Sequence, residues 1–149
     1  MGRPLPRMTP RQRIHQEALR RGRDDVVAGC RALVRGEPVD DGLVHMLGGP
    51  AASQYTGGTA RDDDYWLRVW GLRGLLWQWD DAALPEIRLG LHDHAWRARE
   101  MALKVVARHR LDELLDDVVA LRDDVVPRVR IAADRALAAL ATADGPGSG

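Results

Sequence analysis

The sequence predicts an all-α fold, a short α-solenoid of helical hairpins forming one domain. Three observations carry that prediction. Apolar residues recur at helical spacing and are interrupted at short intervals by Gly, Pro and Asp. No stretch alternates polar and apolar residues as a half-buried strand does. Three segments, YWLRVWGLRGLLWQ (65–78), WRAREMALKVVARH (96–109) and PRVRIAADRALAAL (127–140), align at a spacing of 31 residues. Arg68, Arg99 and Arg130 share one column; Gly71, Ala102 and Ala133 share a small one; Leu75, Val106 and Leu137 an apolar one; Arg73, Lys104 and Arg135 a basic one. A lone hairpin cannot bury its apolar face, so the repeats are expected to stack into a continuous core.

The elements follow in order. Thr9 as N-cap with Pro10 at the first helical position predicts a helix over about 10–21, ended by Gly22. A second helix starts at Asp24 or Asp25, buries Val26, Val27, Cys30, Leu33 and Val34, and is closed by Gly36 and Pro38. Asp40 to Leu47 reads as a short helix, and Gly48-Gly49-Pro50 to Gly57-Gly58 as a loop with room for one turn. From Asp62 onward the chain is helical with short breaks, and 83–93 and 111–124 are the partner helices of the aligned segments. The expected organisation is an N-terminal arm over 1–9, one domain over 10–141 with its best-defined repeats at 62–93, 94–124 and 125–141, and a flexible tail over 142–149.

Composition excludes several classes. With 45% hydrophobic residues in 149, the chain is long enough and apolar enough for one core. The N-terminal residues lack the apolar stretch of a secretory signal, and no window approaches the ~18 apolar residues of a membrane span, so a cytoplasmic protein is expected. Cys30 is the only cysteine, which excludes an intrachain disulfide. Arg carries nearly all the positive charge, Lys104 being the only lysine, and Asn and Phe are absent, a bias expected of a high-GC bacterium. The net charge is zero but unevenly spread: residues 1–35 sum to +6, 36–96 to −6 and 97–149 to zero. A basic N-terminal arm thus precedes an acidic middle, which fits a solvated helix face together with intramolecular pairing.

Asp93-His94-Ala95-Trp96-Arg97-Ala98-Arg99 and Asp124-Val125-Val126-Pro127-Arg128-Val129-Arg130 each set an Asp and a turn before an apolar-Arg pair and an Ala-rich helix. In this the chain resembles the HEAT-repeat superfamily, especially its shorter, phycobilisome-lyase-like variety. The likeness is clear over about 62–141 and loose over 10–60. It implies a scaffold or adaptor rather than an enzyme, and makes Arg68, Arg99, Arg130, Asp93 and Asp124 a structural ladder, each Asp near a helix start and each Arg pairing across a turn.

The candidate site is a stripe beside the core face of the aligned helices. Trp66, Trp70, Arg73 and Trp77 stand at i, i+4, i+7 and i+11, on one flank of their helix. The equivalent residues are Arg97, Met101, Lys104 and Arg108 in the next repeat, and Arg128, Ala132, Arg135 and Ala139 in the last. No acid falls in these columns, whereas Asp112, Glu113, Asp116 and Asp117 belong to a partner helix and are expected to face outward. The resemblance places the second helix of each hairpin on a concave surface. The expected partner is an acidic protein; the alternatives are a nucleic acid, on a face similar to that of the alkylpurine DNA glycosylases, or no partner, with the tryptophans packed under residues 40–60. No cofactor and no metal are expected: His92-Asp93-His94 lacks a third ligand, and the glycine pairs near 48–58 lack the spacing and lysine of a phosphate loop. Asp80 and Asp81 read as caps, Cys30 as a buried thiol, and neither Ser53 nor Ser148 has a nucleophile-elbow context.

Overall fold

The structure, a computed structural model, describes residues 7–56 and 64–143. Most of the expected N-terminal arm and C-terminal tail lies outside the described residues, as do Gly57, Gly58, Thr59 and Asp62. The described residues are all-α, with eight α-helices and no strand. They are α1 (Pro10–Arg21), α2 (Arg23–Val34), α3 (Asp41–Gly48), α4 (Tyr65–Trp77), α5 (Leu84–Leu91), α6 (Trp96–His109), α7 (Leu115–Ala120) and α8 (Pro127–Ala143).

Local chemistry sets many of the boundaries. Thr9 and Gln12 form a reciprocal capping box at the start of α1, and Gly22, at φ +94°, turns the chain directly into α2. Asp40 caps α3 by accepting from the Leu43 amide (2.9 Å). The expected loop after α3 is instead a 3-10 helix, Gly49–Tyr55. The partner helices are shorter than predicted and share one plan 31 residues apart: a 3-10 turn (Asp81–Ala83, then Asp112–Leu114) leads into a short α-helix, α5 or α7. Ala83 and Leu114, and Ile87 and Val118, are the matching buried residues.

Helices α2, α4, α6 and α8 pack in succession, each on the next. α5 lies against α6, where Gly90 meets Ala102 and Leu72, and α7 lies against α8. α3 lies against another flank of α4, where Gly48 meets the Trp70 ring and Leu47 meets Gly74. The core runs from Ile14 and Val26 through Leu72, Leu75 and Leu103 to Val129 and Ala136. Two acids are buried within it, each satisfied by arginines. Glu17 takes Arg20 and Arg21, and Glu86 takes Arg31 and Arg35, tying α5 to α2.

Candidate interaction surface

The arginine column holds the repeats together. Arg68 donates Nε and Nη2 to the two carboxylate oxygens of Asp93 (2.6 and 3.2 Å), and Arg99 does the same to Asp124 (2.8 and 3.0 Å). Each Asp also accepts the backbone amide two residues on, from Ala95 and Val126, and so shapes the turn into the next helix. Arg99 and Arg130 further donate Nη1 to the carbonyl six residues back, that of Asp93 and of Asp124. Burial pushes both carboxyl groups up, but the arginines and the amides outweigh it and hold Asp93 and Asp124 below the usual carboxylate range.

The stripe is divided by α3. Trp70 is only 5% exposed, packed against Gly48 and in a T-shaped contact with Tyr55 (ring centroids 5.2 Å). Arg73 is half-buried, donates Nη2 to the carbonyl of Leu47, and leaves Nε without a partner. Burial, and then the nearby charge of Arg13, lower its pKa. These two residues, expected to face a partner, are therefore corrected: they hold α3 in place. The apolar run Leu43, Val44, Leu47 needs a surface to cover; Leu43 finds it at Gly29 of α2 and Leu47 at Gly74 of α4.

The remaining positions border open surface. Trp77, half-buried, has the guanidinium of Arg11 4.9 Å from its ring and that of Arg108 at 4.8 Å. Arg97 lies between Trp66 (5.2 Å) and Trp96 (4.5 Å), and Arg128 stacks on Trp96 as well (5.3 Å). Between α6 and α8 runs a groove of about 530 Å³. Leu103, Ala107, Ile131 and Ala132 form its apolar lining, and Lys104, Arg108, Arg128 and Arg135 its basic rims. Glu100 stands at one end, 2.9 Å from Arg128 and 4.0 Å from Lys104. Arg108 and Arg135 have no carboxylate partner among the described residues. Met101 is half-buried on α6.

Comparison with family models, with characterised proteins and with solved structures finds no match for this chain.

Other candidates have local explanations. His92 Nε2 is 2.7 Å from Asp117, and Asp93 is engaged by Arg68. Among the described residues no group of three or more His, Cys, Asp or Glu side chains is placed to hold a metal ion. Asp80 caps the Ala82 amide, and Asp81 accepts from the Trp79 indole. Asp112, Glu113 and Asp116 are exposed, whereas Asp117 is partly covered by Arg88 and His92. Burial raises the Cys30 thiol to about 12. No described helix is long and apolar enough to cross a membrane.

Sequence reasoning missed Arg11, Trp96 and Glu100. Glu100 was legible, four residues before Lys104 on the same helix. Arg11 was not, because only the packing of α1 beside α4 brings it to Trp77.

Proposed function

We propose that the chain is a HEAT-like α-solenoid acting as a non-enzymatic, cytoplasmic protein-binding module, whose basic and aromatic face engages an acidic protein. The solenoid reading is supported by the 31-residue register, which extends from the aligned helices to their 3-10 turns, and by the repeated Arg68–Asp93 and Arg99–Asp124 pairs. The binding reading is carried by one observation: an apolar groove edged by four cationic side chains against a single carboxylate. Tryptophan and arginine are enriched among interface hot spots, and two arginines of the groove, Arg108 and Arg128, stack on Trp77 and Trp96.

The test is fluorescence anisotropy with two labelled probes, an acidic peptide rich in Glu and Leu and a duplex DNA 20-mer. The peptide is expected to bind, and a Trp77→Ala, Arg108→Ala double variant to lose about tenfold or more in affinity. Trp70→Ala is the structural control: its melting temperature falls, while binding per folded molecule is kept. DNA binding with a steep salt dependence, lost in the same double variant, would replace the protein partner with a nucleic acid. Binding of neither probe overturns the reading.

A further inference from the structure

The first aligned helix already carries an occupant on the stripe that the next two leave open. On α4 the stripe positions Trp70 and Arg73 lie under α3. That eight-residue helix turns Leu43 and Leu47 toward α2 and α4, and its last carbonyls meet two guanidiniums, Arg73 at Leu47 and Arg13 at Met46 (3.0 Å). Cations at a helix C-terminus are favoured by the helix dipole. The same columns hold Met101 and Lys104 on α6, and Ala132 and Arg135 on α8. Of these, Lys104, Ala132 and Arg135 line the groove.

We propose, resting on the reading of this face as a binding surface, that the α6–α8 groove takes one short amphipathic helix of an acidic partner, seated as α3 is seated on α4. Its apolar side chains lie on Ala107 and Ile131, its carboxylates meet Arg108 and Arg128, and its C-terminal carbonyls meet Lys104 and Arg135. Three arguments select a helix. A helix keeps its own backbone hydrogen bonds and presents apolar side chains to one side and carboxylates to its flanks, as walls of apolar residues rimmed by cations require. From Glu100 to Arg108 the α6 wall of the groove advances about 12 Å, a little over two helical turns, enough for a helix of the length of α3. Four cationic side chains against Glu100 leave the groove positive, complementary to acids on the flanks of the occupant.

The experiment uses the full chain and a lactam-stapled 12-residue peptide with Leu at i and i+4 and Glu on both flanks. Its control has the same composition, with proline blocking the helix. The stapled peptide is expected to bind at least about tenfold tighter than the control, because its helix is preorganised. Ala107→Trp, which fills the groove, and Lys104→Glu with Arg135→Glu, which leave the core intact, are each expected to weaken it by about tenfold or more. Arg88→Ala, on α5, is expected to leave affinity unchanged. Equal binding of helix and control, or helix binding indifferent to both groove variants, overturns the proposal. If Trp77→Ala with Arg108→Ala abolishes binding of acidic peptides while both groove variants retain it, the binding module stands and the helix in the groove does not. If no acidic probe binds, both fall.

Discussion

Arg99 and Arg130 occupy the same column and share the same carbonyl contact, yet they have different amounts to lose. Arg99 also neutralises Asp124, and the two side chains are 13% and 7% exposed. Arg99→Ala strands a largely buried carboxylate, a change on the order of 3 kcal/mol. Arg130→Ala removes one hydrogen bond to a carbonyl, about 1 kcal/mol. Urea denaturation should therefore rank Arg99→Ala well below Arg130→Ala; equal losses would mean that the pair contributes nothing beyond the carbonyl contact. Cys30 makes a second residue-scale prediction. With its thiol pushed up to about 12 by burial and its side chain inside the core, alkylation by iodoacetamide should proceed only as fast as the protein opens. Rapid labelling under native conditions would contradict that burial.

At the scale of elements, α2 and α4 approach so closely that position 71 has no room for a side chain. A Cβ on Gly71 would stand 2.8 Å from the Cys30 carbonyl oxygen and 3.0 Å from the Leu33 Cβ. Gly71→Ala gains about 1 kcal/mol of helix propensity. It forces apart a backbone and a packed side chain, which costs about 1–3 kcal/mol. Net destabilisation of about 1 kcal/mol is expected by urea denaturation, and a more stable variant would mean that the two helices separate freely. In the matching column Ala102 and Ala133 are tolerated and buried, so the repeat carries a small residue, but only the α2–α4 contact demands glycine. The other end of the stack shows the converse. Leu91 and Leu103 are buried, while their counterparts 31 residues on, Arg122 and Asp134, form an exposed ion pair (3.3 Å). Polar side chains thus stand on α8 and the preceding 3-10 turn where apolar ones stand one period earlier.

Among the described residues part of the uneven charge is paired internally. Arg21 pairs with Asp40 (2.8 Å), and Arg31 and Arg35 converge on Glu86, so arginines of the basic first third meet acids of the middle. The titrating groups then set the acid response. Burial, against a bond to the Leu75 carbonyl, lowers His109, so its contribution is complete above about pH 6.5 and declines as the pH falls through its folded value. The Arg21 hydrogen bond holds Asp40 at about 2, and Asp93 and Asp124 are depressed too. Their stabilisation is complete above the unfolded value of about 4 and is lost as the pH falls toward 2. Urea midpoints are expected to drop slightly between pH 7 and 5 and steeply below about 4; a midpoint unchanged at pH 2.5 would exclude these pairs as a source of stability.

The helices and the rungs were legible in the sequence because their causes are local or periodic. Thr9, Asp40 and Gly22 act on amides and dihedrals a few residues away. Arg99 and Asp124 recur with the same 31-residue period as the helices that carry them. Periodicity also placed the stripe residues on one flank of each helix. What it could not decide is which part of that flank meets water. Trp70 and Arg73 fit the pattern as well as Met101 and Lys104, but α3 closes over the first pair alone. Likewise Arg11 reaches Trp77, and Arg31 reaches Glu86, only through packing between helices distant in the chain. A side chain's rotation about its helix follows from spacing along the chain. Its burial depends on which distant segment finds the most apolar area to cover, and only the assembled tertiary structure decides that.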